Sequence, residues 1–270
     1  MFYKVTLNLD KYKPDLKKNF VMQTEIKKLF ETRTSVRRYE YDAIPAEALE
    51  TIYAAIRNSP TSYNGQQLSV IDIADQDVKL KLYEITGQKQ IKTCNRFLVF
   101  CADYNRIGVL ARAKGLEMPP FCDTLDGFTV GVIDAAIAMQ SAVVAAQACG
   151  LGSCCVGYVR TADPAAVARL LDLPKGVFVV CGLAIGVPRE HPDVKPKLPR
   201  ELMIHSNRYT DRDMTAELQA YDRQVTEYNA TRSGTKSDND WCGHILDYYR
   251  EATNYEMLAA ARAQGFDIKK

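Results

Sequence analysis

The stretch from Gly131 to Cys149 constrains this chain most, because among its Ala, Val, Ile and Met it carries a single charge, Asp134. As a helix it would run about 28 Å at ~1.5 Å per residue, close to the thickness of a bilayer core. Asp134, Gln140, Ser141 and Gln147 are spread along it and alanine dominates, so it reads as a buried core helix. Apolar nearly all round, such a helix needs cover on every side, which a dimer supplies more readily than a small monomer. A buried capping or interface role is the expectation for Asp134. The start, Met1-Phe2-Tyr3-Lys4, lacks the continuous apolar run of a signal peptide.

Periodicity predicts helices over residues 24–31, 45–58, 75–86, 164–171, 213–230 and 241–264. Apolar, β-branched runs predict strands over 68–74, 97–102, 153–159 and 177–185. Helices alternating with such strands indicate a layered α/β or α+β domain, without repeats or low-complexity tracts. With 270 residues and 47% hydrophobic content the chain can build one large core, and a net charge of +2 gives no reason to expect nucleic acid. The clearest loop, residues 233–239, precedes Trp241 and has the composition of a mobile flap.

Several chemistries are set aside. Eight cysteines form no C-x-x-C pair and most lie in apolar runs, as small buried hydrophobes of a reducing, cytoplasmic compartment. The neighbours Cys154 and Cys155 would point to opposite faces of a strand, which argues against a redox pair. Gly150-Leu151-Gly152 follows a helix and does not extend into a dinucleotide fingerprint, and no phosphate loop of the Walker type is present. His191, His205 and His244 lie far apart, without the spacing of a zinc site.

Three segments suit a phosphorylated ligand. In Arg33-Thr34-Ser35-Val36-Arg37-Arg38, arginines flank a hydroxyl with no acid between them, and a guanidinium offers a charged planar fork to an anion. The polar loop of residues 58–67 contains Thr61, Ser62, Tyr63, Asn64 and Gln66 and leads straight into a strand-like run. In Lys195-Pro196-Lys197-Leu198-Pro199, prolines stiffen the backbone and place two lysines on one side of an extended segment.

Together these segments resemble the nitroreductase family, in its NADPH-dependent flavin oxidoreductase and oxygen-insensitive nitroreductase branch. Further matches are Thr86-Gly87-Gln88-Lys89-Gln90, Phe100-Cys101-Ala102-Asp103-Tyr104-Asn105-Arg106, Gly131 to Ala136, Gly150-Leu151-Gly152 with Val156-Gly157, Gln219-Ala220-Tyr221-Asp222, Thr231-Arg232 and Trp241. Their order and spacing over about residues 26–266 carry the resemblance.

It implies an α+β fold of three layers, a central, mainly antiparallel sheet flanked by helices, in an intertwined homodimer with flavin at the subunit interface. The implied organisation is an N-terminal extension over 1–25, whose Lys-rich sequence has no assigned role, an FMN-binding core over 26–212 and a C-terminal helical excursion over 213–270. The implied cofactor is FMN, with NADPH, or NADH, as electron donor and a small molecule as acceptor. Arg33, Ser35, Arg37, Lys195 and Lys197 would hold the FMN phosphate, with Thr34 and Val36 adding backbone contacts. Thr61, Ser62 and Gln66 would approach the flavin from the polar loop. Gln88 and Gln90 would meet the ribityl chain or ring edge, and Cys155, Val156, Gly157 and Tyr158 the ring. Tyr63, Asn64, Arg232 and Lys236 would serve NADPH or substrate.

By the same resemblance, a nicotinamide would give hydride to flavin N5, and a nitroaromatic, quinone or free flavin would then take two electrons in a ping-pong cycle. A dedicated flavin or quinone reductase and a flavin-binding protein without turnover are the alternatives. The chain departs from the branch at Arg33 and Thr34, which replace His-Arg. It departs also at Ser237 and Asp238, which replace a basic pair, at Tyr158 for glycine, and at Asn64, where Phe is frequent.

Overall fold

A computed structural model describes residues 24–268. Residues 1–23 of the Lys-rich extension and the last two residues lie outside the described residues. The chain divides into two compact units, Met1–Arg33 and Thr34–Lys270. The described part of the first carries a helix over residues 24–31. The unit break falls between Arg33 and Thr34, whereas the sequence organisation places its first boundary at 25/26.

The second unit is built on four strands in the order β1-β2-β4-β3, every neighbouring pair antiparallel. They are β1 (Leu68–Ile73), β2 (Arg96–Asp103), β3 (Gly152–Val156) and β4 (Val177–Gly186). β2 is buried from Phe97 to Asp103, as expected of a central strand covered on both faces. Its register on β4 slips between Phe100 and Cys101, at a bulge. Opposite β2, Gly182 has no room for a side chain, since a Cβ there would stand 2.3 Å from the Phe97 ring.

Helices cover both faces, giving the α+β three-layer arrangement. In chain order they are α1 (Ala46–Arg57), α2 (Gln76–Thr86), α3 (Lys89–Thr93), α4 (Asn105–Ala113), α5 (Leu125–Ala148), α6 (Tyr158–Thr161), α7 (Pro164–Leu170), α8 (Arg200–Met203), α9 (Thr215–Thr231), α10 (Trp241–Ala252) and α11 (Met257–Ala263). On one face Leu98, Phe100 and Val180 pack with Ile52 and Ile56 of α1 and the alanines of α5. On the other, Phe97, Val99 and Val179 pack with Leu82 of α2, Ile91 of α3 and Val167 of α7.

The long apolar segment is α5, of 24 residues, longer than its sequence core. Thr124 caps it by accepting the Gly127 N–H at 2.9 Å. Gly131, Ala135, Ala138, Ala142 and Ala145 recur at helical spacing and are buried. Gly131 lets the helix lie against β2, where a Cβ would come within 2.8 Å of Ala102. The opposite stripe is open: Ile133 and Ile137 are 49% and 37% exposed. Within one chain α5 is thus covered on one side, and the remaining apolar stripe is the part whose cover the sequence expects from a dimer.

Two further expectations change. The predicted strand 153–159 ends at Val156, because the chain turns at Gly157 into α6. The predicted helix 241–264 is two helices, interrupted between Ala252 and Met257. Thr253 Oγ1 and Asn254 Nδ2 both donate to the Arg250 carbonyl, at 2.7 and 3.2 Å, and so compete with helix continuation. The chain then returns to the core through Phe266, fully buried and edge-on to Tyr104, Phe128 and Phe178.

Candidate functional site

The basic segment beyond Arg33 is laid along the end of the sheet by backbone bonds. Val36 N–H donates to the Ser153 carbonyl at 2.9 Å, and Gly152 permits this approach, since a Cβ there would meet Val36 at 2.8 Å. Arg189 N–H donates to the Arg38 carbonyl at 3.0 Å and Glu40 N–H to the Val187 carbonyl at 2.9 Å. Buried Tyr39 locks the segment, donating to the Val36 carbonyl at 2.6 Å. Glu190 accepts the Arg37 backbone N–H at 2.7 Å and pairs with Arg38 at 3.7 Å. The Arg37 guanidinium itself turns to the Ser35 carbonyl, 3.2 Å away.

The lysine segment is held from the other side by α9. Tyr228 hydroxyl donates to the Asp193 carbonyl at 3.0 Å and Tyr221 hydroxyl to the Pro196 carbonyl at 3.4 Å. Tyr221 is steadied in turn by an edge-on contact with Trp241, ring centroids 5.2 Å apart. Asp193 accepts the Ser233 N–H at 2.7 Å, and this bond holds its carboxyl below the usual range. Arg232, next to Ser233, donates from Nε to the Thr235 carbonyl at 2.6 Å. The expected flap is closed at its base by Asn229, which accepts from Ser237 N–H at 3.0 Å and donates to the Asn239 carbonyl at 2.8 Å.

These elements collect like charges. Lys195 is held below the ordinary lysine value by partial desolvation and then by Arg37, Arg232 and Lys197 around it. Such crowding opposes folding unless an anion relieves it.

Beside the cluster lies a recess of about 270 Å³, lined by Arg37, Gln88, Gln90, Cys155, Val156, Gly157 and Tyr158 among others. Gln88 stands at the N-cap of α3, and Gln90 donates to its side-chain oxygen at 3.0 Å. The recess thus brings together seven of the sequence candidates from distant segments. It also adds residues that sequence reasoning missed: Arg160, Thr161, Tyr248 and Tyr255. Arg160 lies in α6, whose first residues the sequence reads as strand, and the two tyrosines lie in a stretch whose pattern signals only helix. Thr34, Ser35 and Val36 lie on the segment leading to Arg37, whereas Arg33 ends the first unit and keeps its candidacy on sequence alone. Lys236 is exposed on the flap and is not among the recess-lining residues.

The polar loop stands at a different recess, of about 520 Å³, beside the edge strand β1. Thr61, Asn64 and Gln66 line it, with Tyr53, Asp72 and Arg106. The loop is strained: Tyr63, Asn64 and Gln66 have φ of 53°, 52° and 52°, in the left-handed region that non-glycine residues avoid. Tyr63 is fully exposed. Buried Asp134 accepts the Ser62 N–H at 3.0 Å, the capping role expected of it, while its Oδ2 has no hydrogen-bond partner among the described residues. Thr61 Oγ1 accepts the Gln66 N–H at 3.2 Å. Arg106 clamps the strand entrance, donating to the Gln66 carbonyl at 2.7 Å, to Ser69 Oγ at 3.1 Å and to the Leu68 carbonyl. Nearby, Tyr53 is pushed up to about 12 by burial and by its hydrogen bond to Asp72. In a single chain the two groups of candidates therefore do not share one recess.

Among the described residues no cluster of His, Cys, Asp or Glu suits a metal ion. Burial pushes the thiols of Cys94 and Cys101 up to about 12, which leaves them unreactive in the core.

Comparison with known proteins bears on both recesses. Residues 30–187 match the model of the nitroreductase family, and residues 195–269 that of the nitroreductase family C-terminal domain. An FMN reductase (NAD(P)H) of Bacillus subtilis (strain 168) is 36% identical over 251 residues, which span 92% of this chain and all of that protein. The oxygen-insensitive NADPH nitroreductase of Salmonella typhimurium is 35% identical over 212 residues, 78% of this chain and 85% of the relative. Among solved structures, the hypothetical oxidoreductase YcnD from Bacillus subtilis superposes with a TM-score of 0.87 at 35% identity, covering 91% of this chain and 99% of that one.

Proposed function

Because the chain belongs to the nitroreductase family, we propose that it is an FMN-dependent NAD(P)H oxidoreductase acting on nitroaromatics, quinones or flavins. The observation that carries the reading is the cation cluster of Arg37, Lys195, Lys197 and Arg232 beside the recess of Gln88, Gln90 and residues 155–158. The cluster suits the single phosphate of FMN, and Gly157 leaves open space where a Cβ would meet nothing within 4 Å. Bound FMN would supply the two-electron chemistry, being reduced by NAD(P)H and reoxidised by the acceptor.

The chain's own residues bind and orient. Arg37, Lys195 and Lys197 hold the phosphate, with Ser35 and the backbone of Thr34 and Val36 beside them. Gln88 and Gln90 offer amide groups to the ribityl chain or ring edge. Residues 155–157 bring backbone against the ring, where fixed donors favour an anionic reduced ring. Arg232, whose neighbour Ser233 is tied to Asp193 at the flap base, is our candidate for the 2′-phosphate of NADPH rather than for the FMN phosphate. The reading includes a cytoplasmic homodimer. Exposed Ile133 and Ile137 on α5 provide an apolar face for a second copy, whose strained loop, with Thr61, Ser62, Tyr63, Asn64 and Gln66, would complete the site.

The test is an anaerobic absorbance spectrum of purified protein, with NADPH and NADH added separately. Bound flavin that bleaches faster with NADPH supports the enzyme and the Arg232 role. Equal rates remove the 2′-phosphate contact, and absence of flavin after added FMN overturns the reading.

A further inference from the structure

Asp134 is 1% exposed on α5, beside the open side chains of Ile133 and Ile137, and it is the single charge from Gly131 to Cys149. Burying a carboxylate in an apolar helix is unfavourable unless its bonds compensate. Its Oδ2 has no partner among the described residues, so the Ser62 N–H, 3.0 Å from Oδ1, is that compensation. We infer that Asp134 is a positioning residue for electron transfer to the acceptor: through Ser62 it sets the strained loop that one copy lends to the flavin recess of the other. The inference rests on the flavin enzyme and homodimer proposed above, and adds to them the residue that ties the loop to the dimer helix.

The loop runs from the end of α1 to the start of β1 and is fastened along the way. Ser59 Oγ lies 2.9 Å from Ser141 Oγ, and Ser141 stands seven residues after Asp134, two helical turns along the same face. Arg106 clamps the far end at the carbonyls of Gln66 and Leu68. Between these fixings, Ser62–Asn64 form a single 3-10 turn, in which the Gly65 N–H donates to the Ser62 carbonyl at 2.9 Å. The first N–H of such a turn has no partner inside it, and Asp134 supplies one. Tyr63, Asn64 and Gln66 follow with φ of 53°, 52° and 52°. Left-handed residues other than glycine relax to other conformations once a fastening is lost, and the exposed Tyr63 and Asn64 then point elsewhere.

Ile133 and Ile137 are four residues apart and share one side of α5, with Asp134 next to the first of them. The surface offered to a second copy and the tie to the loop therefore lie on adjacent residues of one helix. The loop is referenced to the face that meets the second copy, and its own chain's cation cluster stands at a different recess. A residue placed in this way acts on the neighbouring copy's site, which distinguishes it from one that only supports its own fold.

The test co-expresses Asp134→Ala and Arg37→Ala subunits under different tags and isolates mixed dimers loaded with one equivalent of FMN. FMN then occupies the recess whose Arg37 is intact, in the Asp134→Ala subunit, and meets the unaltered loop of the Arg37→Ala subunit. With NADPH as donor, Asp134→Ala homodimers should lose roughly tenfold in kcat/KM for menadione per bound FMN, because small misplacements of reacting groups are costly. Their FMN affinity should stay within about threefold of wild type, and so should the menadione efficiency of Asp134→Asn, which keeps an acceptor oxygen for Ser62. Mixed dimers should regain most of the wild-type efficiency per bound FMN. Ser62→Pro removes the donor at a first-turn position that tolerates proline, and takes the place of Asp134→Ala should that variant fold poorly. Asp134→Ala homodimers with wild-type efficiency, or mixed dimers as slow as those homodimers, overturn the inference. Wild-type protein that holds no FMN, whose FMN NADPH does not bleach, or that stays monomeric overturns instead the reading beneath it.

Discussion

The recess beside β3 is walled by segments far apart in sequence and edged by like charges, whereas the recess beside β1 takes much of its lining from one loop held under backbone strain. Around the first, Arg37, Lys197 and Arg232 crowd Lys195, and the anion we propose there would supply the compensation. At the second, Asp134, Thr61 and Arg106 already hold Tyr63, Asn64 and Gln66 in left-handed conformations, so the compensation is internal. By the proposed reading the first site would gain stability on binding, whereas the second is already held by its own hydrogen bonds.

The sharpest way to break this contrast is Arg37→Ala. Losing a charge-assisted contact of about 1.5–3 kcal/mol should weaken FMN binding roughly 10- to 100-fold, measured by quenching of flavin fluorescence, while the apoprotein is no less stable. Unchanged FMN affinity would remove Arg37 from the phosphate site.

Asp134→Ala addresses the other recess. It leaves the Ser62 N–H without its acceptor and should lower unfolding free energy by about 1–3 kcal/mol in urea denaturation, with FMN phosphate affinity little changed. A loss of FMN affinity equal to that of Arg37→Ala would erase the distinction between the two recesses in a single chain.

Lys195 gives a dependence on pH with opposite signs for folding and binding. Its folded value lies below the ordinary 10.5, through partial desolvation first and neighbouring cations second. Between the depressed and the ordinary value the unfolded chain holds more protons, so the Lys195 contribution to apoprotein stability rises with pH. FMN phosphate requires the charged ammonium, so its affinity falls over the same window. Titrating FMN binding and urea stability from neutral pH toward 10.5 should show the two trends diverging, and Lys195→Gln should flatten both.

Tyr63→Gly carries the smallest expected effect on stability. Relief of left-handed strain offsets the added chain entropy of glycine, each about 1 kcal/mol, so the urea midpoint should hardly move. A large destabilisation would show that the exposed ring has a partner within the chain.

Much of this was legible in sequence. The strands containing Leu68, Phe97 and Val177 announce themselves by apolar, β-branched runs, and α5 by an apolar stretch too long for a strand. The basic segment and the Lys-Pro-Lys pair carry their chemistry in residue type. The place of Tyr248 and Tyr255 at the recess was not legible, because a tyrosine in a helical stretch looks the same whether it faces solvent or a recess. The α6 turn was missed because apolar Val156 and Val159 fit a strand as well as a turn, and the break at Thr253 because local side-chain bonds decide it.

By itself, then, the sequence determined the layers, the central helix and the cationic residue types that suit an anion, since these depend on local periodicity and on charge. The tertiary structure alone decided that Arg37 and Arg232 crowd Lys195, that the strained loop stands at a separate recess, and that Asp134 lies beneath Ser62. These are meetings of segments far apart in the chain, and they depend on how a twisted antiparallel sheet stacks its helices, which no local pattern encodes.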